Sequence, residues 1–446
     1  MLLALLALTT SAAGDDARGE IPLRLTLVDA PFTFEGGLSA PSMTQSLDLT
    51  YAVDRSVILG IQEGFTAAFP ENEGLRKGIG LAAAWSASIG LGFVGGWMHE
   101  EWHRAVMTSQ GVSSRNGIYH PEAWSNGLIA VDNVTDEELA RLKADTPAQT
   151  ARLMSAGLES QHALAERIGD QIFFHDREGE AFGPLYHGDT WMSPVIAMAE
   201  LNNLFYHLTC VGEDSDALTD EENQLRLTVP ERDFTGLDCV AWAYDMSRPD
   251  EGYEDRGAHP YGEGIDRYRS WSDLTGDEQE LLTQQARLQL LNLLNPHLYG
   301  FNGVSLPGEG DRWIAQVGHG ITPFGYTIDG RFALKRGELK ALVVLRSFVS
   351  AVGWSPGLDV SVLDRPLTDS LRWDAGLDLW LQPTDLRYDA DSRQPGGRAY
   401  GELGWQASRR LELWAQAAAK TEGWVRGEVY LDPNVSGRAG MTLSVR

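Results

Sequence analysis

The chain has 446 residues, 43% apolar and 22% charged, which excludes general disorder and leaves room for two or three domains. A mean hydropathy of −0.24 excludes a polytopic helical membrane protein. With 36 basic and 63 acidic residues the net charge is −27, which excludes nucleic acid as a partner, because neutralising phosphates needs the opposite sign.

The charge is unevenly spread. Residues 311–446 hold 17 basic and 16 acidic residues, a net of +1, so the first 310 residues carry −28. An acidic, solvated region over 14–310 followed by a near-neutral region over 311–446 is the expected division.

In chain order, residues 1–13 combine an apolar run with the small residues Ser11, Ala12 and Ala13, the pattern of a signal peptide. Export to the cell envelope, either outer membrane or periplasm, is the expected location. Cys210 and Cys239 bracket an acidic excursion, and one disulfide would staple it; two unrelated thiols are the alternative. Over 20–60 two strand-like pieces follow each other, IPLRLTLV and the alternating SLDLTYAVD. Residues 78–98 are 21 positions without charge, long enough to cross a bilayer but rich in Gly, Ala and Ser, as in a closely packed buried helix. Helix starts are expected at Thr135 with Glu138, a capping box, and at Thr146 with Pro147. Residues 191–210 and 274–299 read as further helices, making 61–300 mainly helical.

From residue 311 the apolar period changes from 3.6 to 2. Trp373, Ala375, Leu377, Leu379 and Leu381 alternate with Asp374, Gly376, Asp378, Trp380 and Gln382, and about eight such segments end at Gly, Pro, Asn or Asp turns. The predicted class is therefore α+β, a mainly helical region followed by an antiparallel meander with one apolar face. Segment length, uniform alternation and seven tryptophans in this third resemble bacterial outer-membrane β-barrels in pattern. The chain ends Ser444, Val445, Arg446, without the terminal aromatic residue of such barrels, and a soluble β-sandwich is the alternative.

The residues that carry chemistry are His99-Glu100-Glu101-Trp102-His103, an HExxH match. Four residues apart on a helix, both imidazoles reach one cation, and Glu100 lies beside that face as a general base. The stretch resembles the zincin metallopeptidases. The longer metzincin form is excluded by Val106 and Ser109, which stand where it has Gly and His. The gluzincin form takes a glutamate on a later helix as third ligand, and Glu159, 56 residues after His103, is the best match. The resemblance thus implies zinc held by His99, His103 and Glu159, Glu100 as base, and a peptide or protein substrate.

A competing set is built on two ExxH pairs, Glu100 with His103 and Glu159 with His162, plus Glu63 and Glu137 or Glu138, the composition of a di-iron carboxylate bundle. His162 is also a candidate third zinc ligand. His187 or Tyr186 are candidate oxyanion donors. A non-enzymatic outer-membrane barrel with a soluble plug or binding domain is the third reading, with the histidine pair structural.

Overall fold

The computed structural model describes residues 21–36, 40–119, 130–175, 191–308 and 310–445. Residues 1–13, expected to be a signal peptide, and His187 and Tyr186 lie outside the described residues.

The first element is strand β1 (Ile21–Ala30), followed by helices α1 (Met43–Ala68), α2 (Glu73–Ser109), α3 (Asp136–Asp145), α4 (Pro147–His175), α5 (Ser193–Thr209), α6 (Glu213–Leu225), α7 (Asp238–Ser247) and α8 (Gly276–Leu288). The capping box at Thr135 opens α3 as its sequence predicts, and α4 begins at Pro147. The helix expected over 274–299 ends earlier, at Leu288, and gives way to 3-10 turns over Gln289–Leu294 and Pro296–Tyr299, which are separated at Asn295 because Pro296 has no N–H to continue the first turn.

The alternating SLDLTYAVD is not a strand but the first half of α1. Its alternation misleads because polar residues are buried there. Asp48 accepts from Thr26 Oγ1 at 2.7 Å and from Arg167 at 2.9 Å, so a polar position faces protein rather than water. A second capping box, Ser42 with Gln45, sets the start of α1.

The long central helices pack on one another, with α2, α5 and α7 all against α4. Met98, Trp102, Val106, Met154, Leu158, Ile196 and Trp242 are buried in the shared core. Among the described residues α2 is the one helix long and apolar enough to cross a membrane.

The C-terminal third is the predicted meander. Strands β2 (Val304–Ser305), β3 (Arg312–Thr322), β4 (Gly325–Arg336), β5 (Leu339–Ser350), β6 (Gly353–Pro366), β7 (Leu371–Pro383), β8 (Arg393–Ser408), β9 (Leu411–Lys420) and β10 (Asn434–Val445) pair antiparallel in sequence order. The sheet reaches back across the expected boundary at residue 311, because β1 pairs with β10, Leu23 opposite Leu443. It is open rather than closed into a barrel, with β1 at one end and β2 at the other. Helices occupy both ends. Leu23 and Leu25 of β1 form a small core with Ala52 and Leu49 of α1, while Phe173 and Phe174 at the end of α4 pack on Ile314 of β3.

Helices and sheet meet through ions as much as through apolar contact. Glu166 on α4 pairs with Arg426 at 2.8 Å and Arg331 at 3.1 Å, and Asp170 with Arg331 at 2.8 Å. These groups are buried or nearly so, and each charge has a partner, as burial demands.

Candidate metal centre

Helix α2 carries His99 and His103 one turn apart, and the two rings stand 4.9 Å apart, centroid to centroid. His103 Nδ1 lies 2.7 Å from the Leu153 carbonyl oxygen. A carbonyl only accepts, so Nδ1 carries the proton there and Nε2 is the ring atom left to bind. Both Nε2 atoms converge on one oxygen, Oδ2 of Asp238, at 2.8 Å from His99 and 3.2 Å from His103.

The three side chains form a group that could hold a metal ion, their donor atoms all within 4.8 Å of one another. Two donors on a tetrahedral zinc ion at ~2.0–2.1 Å stand about 3.3 Å apart, so small side-chain shifts open this triangle around a cation. The protonation states suit the same use. Burial pushes His99 down, toward the neutral imidazole, against the pull of Asp238. Burial opposes the charge on Asp238, but His103 and His99 outweigh it and hold the carboxyl well below the usual range.

Helix α4 supplies the space. Gly157 faces the pair, and a Cβ there would sit 2.3 Å from His103 Nε2 and 2.3 Å from His99 Nε2. Real Cβ contacts are never so short, so a side chain at 157 would occupy the volume in front of the ligand atoms. Alanine is the better helix former by about 1 kcal/mol. Gly157→Ala sets that gain against a clash with the two rings, so it is expected to lower stability by about 1–3 kcal/mol and to weaken zinc affinity at least ~tenfold. Competition against a chelator reads this, and unchanged affinity would remove Gly157 from the site.

Asp238 is the first residue of α7, and its position is fixed from two sides. Its backbone N–H donates to Tyr206 Oη at 3.1 Å, and Cys239 is disulfide-bonded to Cys210 at the end of α5. Tyr206 stacks edge-on against His99 at 5.9 Å. Burial pushes its phenol well above the ordinary value, so it keeps its proton, and with its oxygen accepting from Asp238 that proton is left to donate. A cavity of about 180 Å³ between α2 and α5 opens beside the pair, bordered by Gly92, Gly96, His99, Gln161, Asn203 and Tyr206.

Glu100 follows His99 on α2. Burial raises its carboxyl well above the usual range, and the neighbouring Asp233, Asp238 and Glu101 push the same way. Glu101 has another job: it pairs with Arg104 at 2.7 Å and accepts from Asn116 at 2.9 Å and Tyr119 at 3.1 Å.

Glu159 is not in this group, which corrects the ligand set expected from the zincin resemblance. Its Oε2 accepts from Arg152 at 2.6 Å and Trp424 Nε1 at 3.0 Å; its Oε1 accepts from Gly427 N at 2.7 Å and Arg152 at 3.2 Å. Both oxygens are committed to anchoring residues 424–427 on α4. The di-iron set does not assemble either. His162 turns to Glu200, 2.8 Å away, Glu138 closes the α3 capping box, and Glu137 is exposed. The residue that sequence reasoning missed is Asp238, 135 positions after His103. Its only local signal is an acidic residue at a helix start next to a cysteine. Comparison with family models, curated proteins and solved structures finds no match.

Proposed function

We propose that His99, His103 and Asp238 bind a zinc ion and that the protein is a zinc-dependent hydrolase of the cell envelope, acting on peptide bonds. The observation that carries this is the convergence of two imidazole nitrogens on one carboxylate oxygen, with Gly157 keeping the space before them open. Two imidazoles and one carboxylate leave a tetrahedral ion one open position, the arrangement of catalytic rather than structural sites. Bound there, zinc would polarise a carbonyl and make water ionisable near neutral pH.

The chain's own residues then have distinct tasks. Glu100 takes a proton from the attacking water, whose oxygen bonds to the substrate carbonyl carbon. As the C–N bond breaks, Glu100 hands that proton to the leaving nitrogen. Tyr206 donates its phenolic hydrogen bond to the carbonyl oxygen as negative charge gathers on it, the task for which the sequence offers His187 or Tyr186. Asn203, whose Oδ1 is buried without a partner among the described residues, faces the cavity as an acceptor for a substrate N–H. The Cys210–Cys239 disulfide supports an exported location, since such bonds persist in oxidising compartments.

The deciding measurement is the zinc content of purified wild type beside Asp238→Ala and His103→Ala. About one zinc per chain is expected in wild type, and less than a tenth of that in either variant. Full zinc content in Asp238→Ala would remove that ligand. A wild type without stoichiometric metal would leave the histidine pair structural.

A further inference from the structure

The polarity of the meander is inverted relative to a soluble sheet. On β4–β9 the side facing the helices carries an ionic layer, Asp329 with Arg346 at 2.6 Å, Arg346 with Asp359 at 2.7 Å and Arg398 with Asp378 at 3.6 Å, beside a buried apolar cluster that includes Phe348, Trp380 and Trp424. On the opposite side the mid-strand residues are apolar and exposed, while Tyr326 at the start of β4 packs into the helical core. Leu345 is 62% exposed, Trp354 67%, Leu377 47%, Leu403 52% and Trp405 51%. Along the central outward positions of these strands no side chain is charged, and Ser347 supplies a lone hydroxyl.

We propose that this outward face lies against the acyl chains of a lipid bilayer, so that the protein is held in a membrane as an open, helix-filled sheet. A protein partner is the poorer fit. Protein interfaces keep a polar rim and about one hydrogen bond per 100–200 Å², which this face cannot supply. Lipid asks for the opposite, an uncharged band with every backbone group paired. Helices lie at the open ends: α1 packs on β1, where Gln45 Nε2 donates to the Leu27 carbonyl at 3.0 Å, and α4 with the 3-10 turn over Gln289–Leu294 packs on β3.

The dimensions agree. Trp354 marks one rim, where β6 begins; Trp373, opposite Arg365 near the end of β6, marks the other, with Trp405 two positions on in the neighbouring strand. Eleven residue steps separate the rims, about 36 Å along the strand at ~3.3 Å each, which a tilt near 45° reduces to about 25 Å, the height of an apolar band in spanning sheets. The proposal is independent of the metal site and stands or falls without it.

The test is tryptophan fluorescence of the full chain reconstituted in vesicles of dioleoylphosphatidylcholine or of the same lipid brominated on its acyl chains. Bromolipid is expected to quench part of the emission, and Trp354→Phe, Trp373→Phe and Trp405→Phe together to remove more than half of that quenched part. In addition, Leu379→Arg, mid-strand on β7 and touching no core, is expected to lower vesicle partition at least tenfold with unchanged far-ultraviolet dichroism in detergent. Leu218→Arg on α6, equally accessible, is expected to leave partition unchanged. Absence of bromolipid quenching, or a discrete soluble dimer without detergent, would overturn the proposal.

Discussion

Glu100→Gln is expected to retain about one zinc per chain while lowering peptide hydrolysis by about 10²- to 10⁴-fold. Glutamine keeps the shape of the side chain and its place beside His99, but it cannot accept a proton. The ligand triangle of His99, His103 and Asp238 does not include Glu100, so the variant separates metal binding from proton transfer. The assay is turnover of a fluorogenic peptide, with zinc measured on the same preparation. Asp233 is the obvious rival base: it neighbours Glu100, and burial raises its carboxyl well above the usual range too. Asp233→Asn is expected to change turnover by less than about tenfold. Turnover surviving in Glu100→Gln and lost in Asp233→Asn would falsify the assignment of the base.

What the sequence could reveal of this site followed from how far apart its parts lie. His99, Glu100 and His103 are local: any helix through residues 99–103 sets both imidazoles on one side, and α2 does so. The third member of the proposed ligand set depends on tertiary packing. Asp238 reaches the pair because α7 lies along α4 and a disulfide ties its start to α5. Glu159 had the right residue type on the right helix. Its engagement was also inscribed nearby, since Arg152 stands seven residues before it, two turns along the same face of α4. An arginine at that spacing is the competitor to weigh before a glutamate is given to a metal.

The same division holds for the fold. Period 2 after residue 311 reports that each strand has two unlike environments, and it does so whether the sheet is open or closed. Closure is decided by what meets the end strands, here α1 and α4, and nothing in the strands records it. The charge split likewise located a real boundary but not its nature. The near-neutral third is the sheet, whose acidic and basic residues cancel because they face one another and the helices across a buried ionic layer. Residues 46–54 failed as a strand for the converse reason, since their polar positions are buried and paired.

Glu159→Ala is expected to cost about 3–5 kcal/mol of stability, the toll for breaking a buried ion pair from one side. Arg152 is fully buried, and its guanidinium would keep its charge while losing both bonds to the carboxylate. Trp424 Nε1 and Gly427 N would lose their acceptor as well, so the segment carrying Arg426, itself paired with Glu166, would come loose from α4. The measurement is the urea midpoint with the slope held fixed, alongside zinc content under native conditions. Zinc is expected to stay at about one per chain, which distinguishes an anchoring carboxylate from a ligand. The double replacement Arg152→Met with Glu159→Met is expected to cost less than Glu159→Ala alone, because it removes the stranded charge together with its partner. Should the folded single variant lose its zinc, or should the double variant be the less stable of the two, Glu159 holds something other than Arg152.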